Sequence, residues 1–405
     1  MDAGRTRRGV AWLAVAGLAV AVVGVLYLRP SLTLLAPAGG PVAARAPAPD
    51  RPAVFNVAFG DSAHWAVGLL RHPTGNSVVP EMALTSDGGR SWNVPAGSRG
   101  SFGVVALQDG RPLLERFGGP GGQPSVSEDL GLTWRALRLP TPLLGFFSLP
   151  TFLDARRGWW LIGTAADPPR AVSVWRTDDG GGTWRRLAGT GIPDSGPWAL
   201  QFLDDRRGLL TVVGADQPPS LLLTEDGGGT WRPVLTLSCP RPDARSLGTV
   251  ALLRHGSRVL AWVPALAGDQ FNRQDQVVLA GPDAHYDVHP FLFASDDGGR
   301  TWGSPLPGPS IAVRSVSPPV IDGGRLLLLD GRRLWTSDDD GVTWTARVIQ
   351  APAGLVPLQL FAAGGRTLLT IAQPATAPTD YRFASALLRS TDGGAHWDEV
   401  PLPPS

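Results

Sequence analysis

The stretch SDDGGRTW, residues 295–302, sets two adjacent carboxylates and two glycines ahead of a hydroxyl residue and a tryptophan. A catalytic loop ordinarily occurs once in a chain, whereas a structural unit recurs. In the form Ser/Thr-x-Asp-x-Gly-x-Ser/Thr-Trp this stretch occurs seven times: TSDGGRSW (85–92), SEDLGLTW (127–134), TDDGGGTW (177–184), TEDGGGTW (224–231), SDDGGRTW (295–302), SDDDGVTW (337–344) and STDGGAHW (390–397), the last with His396 in the hydroxyl position. The defining pairs are Asp87 and Trp92, Asp129 and Trp134, Asp179 and Trp184, Asp226 and Trp231, Asp297 and Trp302, Asp339 and Trp344, and Asp392 and Trp397. Successive tryptophans lie 42, 50, 47, 71, 42 and 53 residues apart, the period of a four-stranded propeller blade.

Short apolar runs precede the boxes, as in SLLLT (220–224), FLFAS (291–295) and ALLRS (386–390), and the chain resumes after each box with Trp and another short run. Each box therefore reads as a hairpin turn. Its Asp accepts backbone N–H groups of its own turn, and the glycine two residues later permits positive φ. The hydroxyl ties the strand ends, and the Trp buries a flat surface on the returning strand. Seven copies assign these carboxylates to structure and not to catalysis.

A second motif lies upstream of the boxes. FLDARRGWWLIG (152–163) and QFLDDRRGLLTVVG (201–214) are near copies, with weaker relatives at 59–68, 107–114, 253–260, 321–329 and 362–370. Each reads as strand, tight polar turn, strand. Every repeat thus has strand a, this turn, strand b, a variable loop, strand c, the box and strand d. The expected fold is all-β: a seven-bladed propeller of four-stranded antiparallel blades, over residues 53–405.

These boxes are similar to Asp-box motifs, also called bacterial neuraminidase repeats. Together with the Asp…Gly-Trp-x-x-Gly turns they make residues 53–401 resemble the sialidase-like propellers, among them the photosystem II assembly factors and the sortilin-type propellers. The resemblance implies the fold and leaves function open, because such propellers include hydrolases, assembly factors and receptors.

Composition agrees. Gly 51 and Pro 39 are high, charged residues are 18%, and all 36 basic residues are Arg. A formal net charge of +1 gives no reason to expect nucleic acid or an acidic substrate. Cys239 is the single cysteine, so packing and hydrogen bonding, not a disulfide, must hold the ring.

The N-terminus differs in kind. Residues 1–8 carry Arg5, Arg7 and Arg8, and GVAWLAVAGLAVAVVGVLYL (9–28) has no charge. As a helix this run is about 30 Å long, enough to span a bilayer, and the basic flank places the propeller on the extracytoplasmic side. The run exceeds the ~7 to 15 residues of a signal core, which favours an uncleaved single-pass anchor. Secretion after cleavage near Ala36-Pro37-Ala38 is the alternative. Residues 29–52 form a Pro/Ala-rich linker.

In an up-and-down blade the a–b turns and boxes share one face, and the variable b–c loops lie on the other, where a ligand surface is expected. Two of these loops stand out, at about 264–290 and 373–383. The first contains Asp283, His285, Tyr286, Asp287 and His289, and the second Asp380, Tyr381 and Arg382; these are the candidate ligand-binding residues. Asp283, His285, Asp287 and His289 fall at spacing two, so an extended strand projects all four to one side. Residues two apart splay along a strand and seldom supply one ion, so neither a metal nor a cofactor is expected.

The resembling sialidases use three arginines, a Tyr–Glu nucleophile pair, an Asp acid and an Arg-Ile-Pro motif. No Arg-Ile-Pro occurs here, and the tyrosines outside 9–28 are Tyr286 and Tyr381. With no catalytic residues to name, the expected role is a non-catalytic binding or assembly module that docks a protein, peptide or glycan. The alternative is an exo-sialidase-like glycoside hydrolase.

Overall fold

The computed structural model describes residues 52–59, 61–71, 79–95, 101–106, 112–117, 125–129, 131–138, 150–163, 172–193, 196–213, 219–237, 244–247, 250–267, 286–313, 317–375 and 386–403. The expected membrane span, 9–28, and the linker lie outside them, as does Cys239. Among the described residues no helix is long and apolar enough to cross a membrane.

The described chain is an all-β propeller. Its antiparallel sheets follow one another in sequence order, each made of consecutive strands. The innermost strands of neighbouring sheets lie side by side around the centre: Ala53–Phe59, Ser101–Ala106, Thr151–Phe152, Gly196–Phe202, Ala251–His255, Val320–Asp322 and Leu355–Gly364. The ring closes where Ala53–Phe59 meets Thr367–Pro374 and Ala386–Ser390 of the last sheet.

Six of the sheets have four or more strands and are complete blades, where seven were expected. The first sheet has three: Ala53–Phe59, Trp65–Arg71 and Val79–Thr85. Among the described residues, the chain after its box pairs with this sheet only through the isolated bridge Leu84↔Asn93. Pro95 follows two residues later, has no N–H for a ladder, and disfavours continued pairing.

Sheet five departs in the opposite direction. Arg258–Ala267 and Tyr286–Ser295 are ten residues each, and pair in unbroken register from Val259↔Ser295 to Ala267↔Asp287. Their far ends recruit Ala244–Leu247 on one side and Ile311–Val313 on the other, which makes a six-stranded sheet. The residues expected as the ends of a loop, 264–267 and 286–290, are therefore strand.

Apolar clusters fill the seams between sheets. Trp159, Leu161 and Val174 of sheet three meet Phe202, Leu210 and Leu222 of sheet four, and there the Trp159 and Phe202 rings stack at 3.6 Å and 6°. The closing seam is similar, with Val54, Trp65, Val67 and Leu69 against Leu369, Ile371, Leu387 and Val400. Burying such side chains stabilises by about 1.5–3 kcal/mol each relative to exposure.

Candidate binding face

The boxes are the c–d turns, and each is built the same way. In the fifth, Ser295 Oγ donates to Asp297 Oδ1 at 2.8 Å and accepts Gly299 N at 2.7 Å. Thr301 donates its N–H to Asp297 Oδ1 at 2.9 Å and its hydroxyl to Oδ2 at 2.7 Å. In the seventh, His396 Nδ1 takes the place of the hydroxyl at Asp392 Oδ2, at 2.6 Å. Gly299, at φ 89°, makes the reversal that the spacing called for.

These bonds favour the ionised carboxylate. The Thr343 hydroxyl and N–H, then the Ser337 hydroxyl, lower Asp339 to about 2. At Asp179 burial pushes upward, but Thr183 and Thr177 outweigh it and leave about 2. Asp87, Asp297 and Asp392 lie well below the usual carboxylate range, held first by the side chains of Ser91, Thr301 and His396 respectively. A carboxylate so held is a turn acceptor, poorly suited to donate a proton near neutral pH.

The tryptophans serve the same turns. Trp134, Trp302 and Trp344 are half-buried and donate Nε1–H to the box carbonyls of Gly131, Gly299 and Gly341, each at 3.1 Å. Trp231 and Trp397 are the more deeply buried. Trp92 instead reaches across the closing seam to Pro401 O at 2.6 Å.

Backbone bonds put the a–b turns on the box face. Gly180 N donates to Arg156 O at 2.6 Å, Gly227 N to Arg206 O at 2.7 Å, and Gly393 N to Arg366 O at 3.0 Å. Between sheets four and five this face holds a depression of about 230 Å³ whose lining includes Arg207, Arg254 and Arg300. All three are tied down: Arg207 Nε to Asp204 at 2.6 Å, Arg254 Nη1 to Leu203 O at 3.0 Å, and Arg300 Nε to Glu225 at 2.7 Å.

One network on this face escaped the sequence. His255 Nδ1 lies 2.8 Å from Asp340 Oδ1, and Arg258 bonds Asp340 Oδ2 at 2.5 Å and Asp296 Oδ1 at 2.6 Å, which joins sheets five and six. Asp340 has φ 56°, where five other boxes place glycine. That exception to the box consensus was the available signal.

On the b–c side the structure reaches some of the expected residues. Asp283, His285, Asp380, Tyr381 and Arg382 lie outside the described residues. Tyr286 opens its strand opposite Val313. Asp287 and His289 follow at spacing two, opposite Ala267 and Ala265, and His289 Nδ1 lies 2.7 Å from Ser310 Oγ. Val288, between them, packs with Leu266, Ile311 and Leu328 toward sheet six. Ala265, Phe291 and Phe293 pack toward sheet four, and by alternation Asp287 and His289 continue that row beyond the core. Among the described residues no group of three or more His, Cys, Asp or Glu could hold a metal ion.

No protein-family model matches the chain, and no curated protein matches it by sequence. Solved structures match it by fold. A prolyl endopeptidase structure aligns at 11% identity with a TM-score of 0.52, over 87% of this chain and 51% of that one, so the chain spans about half its length. YCF48 bound to D1 peptide aligns at 17% identity and TM-score 0.46, over 81% of this chain and 92% of that one. A GH74 xyloglucanase from Xanthomonas campestris aligns at 17% identity and TM-score 0.32, over 86% and 55%. At these identities the likeness is one of fold alone, that of a β-propeller.

Proposed function

We propose that the chain is a membrane-tethered, extracytoplasmic β-propeller whose b–c face docks a protein, peptide or glycan without catalysing a reaction. The observation that carries this reading is the growth of sheet five. Its two ten-residue strands extend toward the b–c side and gather two extra strands there, while the box carboxylates opposite are occupied by their own turns. A stiff sheet positions recognition residues better than a bare loop does. Asp287 and His289 stand on that projection, and Tyr286, Tyr381 and Arg382 belong to residue types common at docking hot spots.

The test is site-specific photo-crosslinking in the native membrane, with the probe at position 289 or at position 300 on the box face. The reading expects a discrete adduct from position 289 and none from 300, and the reverse pattern contradicts it. It also expects no turnover of a chromogenic sialoside above a blank. Turnover that Phe at both Tyr286 and Tyr381 abolishes, in a chain that stays folded, would establish the hydrolase instead.

A further inference from the structure

The second and third strands of sheet six are joined by the shortest b–c connection in its part of the ring. Arg325–Asp330 passes into Arg333–Ser337 through Gly331 and Arg332 alone. Residues 268–285 and 375–385 make the corresponding connections of sheets five and seven. The rim of sheet six is thus short in chain between two long connections.

Its side chains are sorted by charge. Asp330, 8% exposed, turns inward: Oδ2 accepts Trp335 Nε1 at 2.9 Å and Oδ1 accepts Arg333 N at 3.2 Å. Arg332 and Arg333 stay exposed. Arg333 Nε is 3.7 Å from Asp330, and its guanidinium lies 5.8 Å over the Trp335 ring. Val348 pairs with Arg333 across the strands and is 74% exposed. Trp335 packs with Leu266, Val288 and Ile311, so this face of sheet six looks toward the projecting part of sheet five. Asp287 is on the opposite face of that projection.

We propose that Arg332, Arg333, Trp335 and Val348 form the binding patch for an extended acidic segment of a partner protein, one carrying alternate carboxylate and apolar side chains. The proposal rests on the docking reading above and names the partner's chemistry. Arg333 lies near one carboxylate that is buried and engaged, and Arg332 is exposed beside it, which leaves an excess of cationic donors suited to bidentate carboxylate contacts. The half-buried Trp and the exposed Val beside them supply the apolar contact of a hot spot. A segment that sets apolar side chains on Trp335 and Val348 brings its neighbouring carboxylates within reach of Arg333 on the same face and of Arg332 in the turn beside it.

The test is fluorescence polarisation on the full chain in detergent, with a labelled dodecapeptide of alternating Glu and Leu and its Gln-for-Glu analogue. Saturable binding of the Glu peptide is expected, weakened by salt at about 0.5 M and by about tenfold or more in the Gln analogue and in the Arg332→Ser/Arg333→Ser variant. Val348→Ser should weaken it several-fold, with melting unchanged in each variant. Absence of saturable binding, or equal affinity for both peptides or for wild type and the double Ser variant, overturns the proposal. If only Asp287→Ala/His289→Ala weakens binding, the docking face stands and this patch is wrong. If only Arg300→Ala on the box face does so, the docking reading falls with it.

Discussion

Asp297 accepts hydrogen bonds from Ser295 Oγ, Arg300 N, Thr301 N and Thr301 Oγ1, so its removal leaves several turn groups without a partner. Asp297→Ala should lower stability by about 1–3 kcal/mol, read from denaturant unfolding, with partner binding retained by the folded fraction. An unchanged midpoint with binding lost would place function in the box. The same geometry gives a pH dependence. Asp339 falls from 3.8 to about 2, and Asp179 likewise to about 2. A depressed carboxylate contributes stability that is complete above its unfolded pKa and is lost as pH falls through the folded one. The melting temperature should therefore drop between about pH 5 and 2, and Asp339→Asn together with Asp179→Asn should flatten that slope. Residue-scale roles of this kind were legible because the donors lie within four positions of the carboxylate. The bond from His255 to Asp340 was not, since its partners are 85 positions apart.

Sheets are joined by a device that recurs along the ring. Arg135 donates to Gly180 O, Arg347 to Gly393 O, and Arg389 to Gly88 O, in each case from one sheet to the box of the next. Arg389→Met keeps the apolar stem and removes the donor. It should lower the melting temperature through a loss of about 1–3 kcal/mol at the closing seam, and a melting curve that overlays wild type would assign the seam to packing alone. The strands themselves were legible from the boxes outward, because a hairpin turn fixes the start of each ladder. Sheet five was read too short for a reason visible in its register. Pro264 and Pro290 looked like loop ends, yet they stand opposite each other in the ladder. Pro290 O accepts Gly308 N on its other side, as expected where paired residues exchange no hydrogen bond, so the missing N–H groups cost the pair nothing. Sheet one was read too long, because box spacing shows where a turn lies and not how far the next strand runs.

The whole ring closes without sharing a strand between its ends: sheet one uses the beginning of the described chain and sheet seven its end. Trp92 on Pro401, Arg389 on Gly88 and the apolar cluster of Val54, Leu69, Leu369 and Leu387 hold the seam. The fold was legible at this scale because repetition writes it seven times. The ligand surface was less so, because each of its residues occurs once and no repeat marks it. Under the proposed anchoring by residues 9–28, the mature chain keeps Arg5, Arg7 and Arg8 and resists carbonate extraction. A mature N-terminus near Gly39 in the soluble fraction would instead establish cleavage. The most direct measurement of the central claim is amide hydrogen exchange on the full chain, alone and with its crosslinked partner bound. The docking account predicts added protection at the b–c ends of Arg258–Ala267 and Tyr286–Ser295 and at the Gly331 turn, with the boxes unchanged. Protection confined to the boxes and a–b turns would contradict it.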